Sequence, residues 1–149
     1  MKSLTKEIPG FEHGYLIDTN AQLGGRDSRR IKGVYRHTKN DYMKDFEDTI
    51  ALNPEYTVTQ RGYAKIPYRC LISPNSKNTI WAGRCISVDH EVFDLFRSIP
   101  CCMATGQAAG VAAALASKNP DPYSGIVDKV DINKLKKILV QQGAILEIG

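Results

Sequence analysis

Residues 100–116 read PCCMATGQAAGVAAALA, a proline followed by a run of small and apolar residues. Pro100 is tolerated in the first turn of a helix and Thr105 is a possible N-cap, so the pattern predicts a helix over about residues 102–117. Backbone N–H groups at a helix N-terminus lack intrahelical partners, and Gly106 has no side chain to hold a ligand away. The stretch therefore predicts a helix N-terminus that an anion or a carbonyl group can approach closely.

The same stretch is open to other interpretations. Gly106, Gly110 and Ala114 recur at fourfold spacing, which gives a flat face for another helix or a sheet, and the helix could be buried with no ligand. A membrane span is not expected, because the apolar run is shorter than the roughly 20 residues that a span needs. The run also contains the polar residue Gln107, which is a second reason not to expect a membrane span.

Composition narrows the class of protein. With 42% hydrophobic and 24% charged residues, the 149-residue chain is expected to fold as a globular protein. Its net charge of +4 is spread along the chain, so nucleic-acid binding is not expected. Residues 1–7 lack the apolar core of a signal peptide, which predicts a cytoplasmic protein without a membrane partner.

The four cysteines form no C-x-x-C pair, so neither a disulfide framework nor a metal site is predicted. Buried reduced thiols are expected. Thiol redox chemistry at Cys101 or Cys102 is the alternative, because a helix N-terminus lowers a thiol pKa.

Local patterns predict an α+β fold. Strands are expected at residues 15–17, 30–36, 56–59 and 79–82. A helix capped by Thr38 is expected to run to Leu52. Asp131 and Gly143 bracket a final amphipathic helix with Ile132, Leu135, Ile138 and Leu139 on one face.

Several blocks, in order and with matching spacing, resemble the carboxyl-terminal part of FAD-dependent oxidoreductases of the glutathione-reductase-like, two-segment type. The blocks are residues 66–71 (IPYRCL), 82–87 (AGRCIS), His90-Glu91, 97–100 (RSIP) and 103–110 (MATGQAAG). Residues 25–31 (GRDSRRI), with Gly33 and Tyr35, resemble the arginine-rich segment of that family's substrate domain. The resemblance implies a β-rich part of a substrate domain over residues 1–71, with a partial antiparallel sheet. Residues 72–149 would then be the strand-helix-helix end of an FAD-binding domain.

The resemblance also implies site residues. It places the flavin near the predicted helix N-terminus, with these cofactor-binding residues: Arg84, Ala104, Thr105, Gly106, Gln107 and Ala108. Backbone N–H groups of residues 105–108 would face the flavin. His90 would exchange a proton near the flavin and Arg97 would balance negative charge there, as the catalytic pair.

Arg26, Arg29 and Arg30 are the candidate substrate-binding residues. A planar guanidinium suits a carboxylate or another anionic small molecule. The alternative is a solvated or ion-paired surface. The identity of the small-molecule substrate is not predicted.

The family's G-x-G-x-x-G segment, which binds the FAD pyrophosphate, occurs nowhere in this sequence. The chain is therefore expected to act as a fragment or subunit of such an enzyme and to bind FAD poorly or not at all alone. A separately encoded FAD-binding subunit, or self-association into an oligomer, would complete it. The alternative is a non-enzymatic self-association protein, or an inactive remnant, derived from the same fold.

Overall fold

The computed structural model describes residues 7–22, 24–27, 29–53 and 62–148. Short 3-10 turns connect its strands and helices. The strands are β1 (Thr49–Asn53), β2 (Ala64–Pro67), β3 (Ile72–Ser73) and β4 (Ser76–Ile80), and the helices are α1 (Phe93–Phe96), α2 (Ile99–Ser117) and α3 (Ile132–Gln141). Three helices with small antiparallel sheets confirm the predicted α+β class.

The strands form two antiparallel pairs, β1 with β2 and β3 with β4. In the first pair, Ala51 lies opposite Ile66, and both side chains are buried. The second pair is a hairpin in which Ile72 lies opposite Ile80. The first pair gives α2 an apolar surface to pack on.

Helix α2 packs against β1, α3 and the 3-10 turn Gly83–Cys85. Its buried side is made of small residues, which lets the helix axis approach the strand closely. These residues are Cys101, Thr105, Ala108, Ala109, Ala112 and Ala116. The core cluster draws on both sides of the expected boundary at residues 71–72, and the division into two domains stays a prediction.

The final helix is confirmed with its signals. The Asp131 side chain accepts a hydrogen bond from the Lys134 N–H at 3.1 Å, which caps α3. Leu135 and Leu139 are fully buried, and Gly143 takes a φ of +85°, as expected for the residue that ends a helix. The local capping residues and the apolar periodicity were therefore sufficient to predict this helix.

The helix predicted from Thr38 to Leu52 is wrong beyond its first turn. Thr38 does cap, in a reciprocal capping box with Asp41, but only the 3-10 turn Lys39–Asp41 follows. Residues 49–53 form β1 instead, because pairing with β2 buries them in the core. Tertiary pairing thus overrides the local helix signals.

The other predicted strands agree with the structure only in part. The strand expected at 79–82 is β4, displaced to Ser76–Ile80. Residues 15–17 form no strand, and the Ile17 side chain is 87% exposed. Residues 30–36 form no regular strand either, although the Ile31 N–H donates to the Cys85 carbonyl at 2.9 Å. The prediction for 56–59 lies outside the described residues.

Candidate functional site

Helix α2 begins at Ile99, three residues before the predicted start, with Ser98 as its N-cap. Pro100 lies in the first turn, as expected. The intrahelical bonding starts where the Cys102 N–H donates to the Ser98 carbonyl at 3.0 Å. The Ser98 hydroxyl is buried and forms no hydrogen bond among the described residues. A buried hydroxyl without a partner at a helix N-terminus is a ready contact for a polar ligand.

Thr105 is not a cap. It is fully buried in the second turn of α2, and its Oγ1 donates to the Cys101 carbonyl, 2.8 Å away. The same oxygen accepts the Gly83 N–H at 3.0 Å. Thr105 therefore fastens the Gly83–Cys85 turn to α2 and has no surface left for a cofactor.

The early start of α2 also corrects the predicted backbone donors. Residues 105–108 lie in the body of the helix, where N–H groups are used by the preceding turn. The free donors of α2 belong to its first turn instead. Thr105 and Ala108 are fully buried, and cofactor contacts at Ala104, Gly106 and Gln107 stay a prediction.

One face of α2 is open. Ile99 and Met103 are each 71% exposed, and no heavy atom lies within 4 Å of the position that a Cβ would take at Gly106 or Gly110. The exposed Gln107 amide donates to the Gln142 side chain at 3.1 Å. A ligand or another polypeptide can therefore reach the helix surface along this face.

Arg84 and Arg97 lie beside the start of α2. The Arg84 Nε donates to the Arg97 carbonyl at 3.4 Å, which keeps the exposed Arg84 next to the helix N-terminus. The Arg97 Nε donates to Asp94 at 2.7 Å, and this guanidinium lowers the pKa of the Asp94 carboxyl. Arg97 is therefore already ion-paired, and Arg84 is the cation that is more available to a ligand.

His90 lies in a second group of residues. Its Nδ1 is 3.2 Å from Asp27 Oδ2, and the Arg30 Nη1 lies 3.2 Å from the same oxygen. The Arg30 guanidinium also stacks over the Phe93 ring, 4.7 Å from its centroid. The structure therefore joins His90 to Arg30 through Asp27. His90 and Arg97 form no direct contact among the described residues, but both lower the pKa of the Asp94 carboxyl, Arg97 more strongly.

The three arginines predicted to bind substrate do not act as one cluster. Arg30 belongs to the His90 group, whereas the side chains of Arg26 and Arg29 are exposed. Arg30, Lys32 and Arg36 instead line one pocket of about 280 Å³ together with Asp89 and His90. Lys32, Arg36 and Ser98 are the residues that sequence reasoning missed, although alternate basic residues at 30, 32 and 36 were a visible signal.

A larger cleft, of about 520 Å³, lies elsewhere on the molecule. Both of its cations are already paired: Arg69 donates to both carboxylate oxygens of Asp48, at 2.9 and 3.1 Å. Lys44 donates to Asp41 at 3.1 Å. The cleft therefore offers no unpaired cation to an anionic ligand.

Two of the cysteines are disfavoured as thiolates. None of the four forms a disulfide, and burial raises the pKa of Cys70 to about 12. Burial also raises the pKa of Cys102, which outweighs the effect of nearby Arg84. Thiol redox chemistry at Cys102 is therefore disfavoured.

Metal binding and membrane insertion are two further possibilities for this part of the chain. Among the described residues, no group of three or more His, Cys, Asp or Glu side chains could hold a metal ion. In that part of the chain, α2 is the one helix long and apolar enough to cross a membrane by length and composition. The core helix of a soluble protein meets the same criterion, and α2 buries one side against β1.

The comparison with protein families decides the class. A model described as FAD dependent oxidoreductase matches residues 1–139. The chain belongs to the FAD-dependent oxidoreductase family. FAD is therefore the cofactor that the family implies for this chain. No curated protein and no solved structure matches it.

The residues at the start of α2 fit such a cofactor. The buried Ser98 hydroxyl lacks a partner among the described residues, and the exposed Arg84 guanidinium lies beside it. The space over Gly106 is open. An FAD-dependent oxidoreductase needs polar donors and close access at one place for its electron-rich cofactor, and this chain provides both here.

Proposed function

We propose that this chain is the carboxyl-terminal part of an FAD-dependent oxidoreductase of the glutathione-reductase-like type and that the start of α2 holds the flavin end of FAD. The observation that carries the proposal is the open face of α2. Exposed Ile99 and Met103 border bare helix backbone at Gly106 and Gly110. Large exposed apolar side chains beside side-chain-free backbone mark a binding surface.

Different residues of the chain would have different roles at this surface. Ser98 Oγ and the N–H groups of the first turn of α2 donate hydrogen bonds to electron-rich oxygens of the cofactor. The positive end of the α2 dipole and the Arg84 guanidinium stabilise negative charge there. When bound, FAD supplies the hydride-accepting chemistry.

The pyrophosphate end of FAD requires a different polypeptide surface. The G-x-G-x-x-G pattern occurs nowhere in the 149 residues, so this chain contributes little to binding the adenylate half. We propose that a separately encoded FAD-binding subunit, or a further copy of this chain, packs on the open face of α2. The substrate is a small molecule, and activity requires the assembled protein.

The experiment that tests this proposal is a titration of FAD fluorescence with the purified chain. We expect weak, saturable binding that riboflavin competes away and that ADP does not, because the chain contacts only the flavin end. A Gly106→Leu variant should abolish the binding, since its side chain fills the open face. The matched control is Gly25→Leu, at another glycine with no atom within 4 Å of its Cβ position.

The outcomes separate the alternatives. Absence of saturable flavin binding at millimolar FAD would contradict the flavin-facing role of α2. Flavin binding that survives Gly106→Leu would place the cofactor elsewhere. A flavin-free oligomer that Met103→Lys dissociates into monomers would favour the non-enzymatic self-association protein instead.

A further inference from the structure

The pocket of about 280 Å³ beside residues 30–36 is lined mainly by basic side chains. Arg30, Lys32, Arg36 and His90 border it, and Asp89 is the one acidic residue of its lining. The Asp89 carboxylate already accepts the His90 N–H at 2.7 Å, as the cap of the 3-10 turn His90–Val92. The cations of this pocket therefore outnumber its anions.

Two of these cations have no internal partner. Arg30 is paired with Asp27 and stacked on Phe93. The exposed side chains of Lys32 and Arg36 form no ion pair and no hydrogen bond among the described residues. Two uncompensated positive charges on one concavity attract an anion, and two separate charges favour a ligand with two negative groups.

The walls of the pocket are held in place before any ligand arrives. The His37 N–H donates to the Ser87 carbonyl at 3.1 Å, and the Asp89 N–H donates to the His37 carbonyl at 2.8 Å. At the other end, the Ile31 N–H donates to the Cys85 carbonyl. Because both chain segments are fixed by backbone bonds, binding an anion requires ordering of the Lys32 and Arg36 side chains but little change in the backbone.

We propose that this pocket binds a small dianion, a dicarboxylate or a phosphate-bearing molecule, through Lys32 and Arg36. Its volume matches a small metabolite. The further claim that this dianion is the substrate rests on the proposed oxidoreductase function. The binding itself does not, and it is measured without FAD.

The test is calorimetric titration of the chain with succinate and with inorganic phosphate, using acetate and succinamide as controls of lower charge. At least one dianion should bind saturably and more tightly than acetate, and succinamide should not bind. Lys32→Gln and Arg36→Gln should each raise the Kd about tenfold or more, since each removes a charged hydrogen-bond donor. Their exposed positions leave the fold intact, which circular dichroism checks.

Lys118→Gln is the matched control, because Lys118 is an exposed lysine outside the pocket. It should change the Kd by less than about twofold, as expected for a screened distant charge. Equal weakening by Lys118→Gln would mean diffuse attraction to a basic surface and would overturn the proposal. Failure of both dianions to bind would also overturn it, while leaving the riboflavin competition result untouched.

Discussion

Replacing Gly106 and Gly110 by alanine distinguishes the stability that the two glycines cost α2 from the flavin binding that its open face provides. Both glycines lie inside a 19-residue helix, where glycine is about 1 kcal/mol less favourable than alanine. A Cβ at either position meets no atom within 4 Å, so no clash offsets that gain. The double variant should therefore be more stable by about 2 kcal/mol, which raises Tm by about 4–8 °C for a chain of this size.

Urea denaturation followed by circular dichroism measures this gain. Gly125→Ala is the control of opposite sign, because Gly125 has a φ of +72° that an L side chain adopts only with strain of about 1 kcal/mol. Riboflavin titration of the same proteins should show weaker binding for the double variant. The comparison is made at a concentration where gel filtration shows a monomer, so that no second copy covers the glycines. A monomeric double variant that is less stable than the wild type would refute the reasoning.

Two further predictions concern buried polar groups. Burial lowers the pKa of His37 to about 4, so below about pH 6.5 the unfolded chain binds a proton that the folded chain does not, and stability falls. The free energy of unfolding measured by urea denaturation should be about 2 kcal/mol lower at pH 5 than at pH 7. His37→Leu should remove that difference and His13→Gln, at an exposed histidine, should retain it; an equal slope in His37→Leu would contradict the assignment. Thr105→Val should cost about 1–3 kcal/mol in urea denaturation because it strands the Gly83 N–H, whereas loss of the exposed Ser117 hydroxyl should cost less than about 0.5 kcal/mol.

The elements that sequence reasoning found are those whose signals are local. Helix α3 carries its cap, its apolar face and its terminal glycine within a dozen residues, and each of these lies where it was expected. The helix expected after Thr38 failed because residues 49–53 pair with β2, which lies further along the chain. Pairing between distant segments leaves no mark in local periodicity, and the β-branched Thr49 and Ile50 were only a weak hint.

In the candidate site too, the features with local sequence signals were predictable and those that depend on distant segments were not. The position of α2 and its first-turn proline were predictable, because they depend on neighbouring residues. The role of Thr105 was not, since its hydroxyl is taken by the N–H of Gly83, from a separate turn of the chain. Likewise, Lys32 and Arg36 were not predicted, because their pocket depends on backbone contacts of residues 31 and 37 with residues 85–89, which lie far along the chain.

The segment from Gly83 to Ser98 connects the two proposed binding places. Its first residue is held to α2 through Thr105, and its middle is held at Asp89 by the His37 carbonyl. The carbonyl of its last residue, Ser98, accepts the Cys102 N–H of α2. A segment held at both ends and in the middle keeps the dianion pocket and the start of α2 at a fixed relative position. Hydride transfer between a bound small molecule and a flavin depends on such fixed positioning, which alone accounts for several kcal/mol of a reaction barrier. The two proposals are therefore compatible through one rigid connection, and each is tested separately.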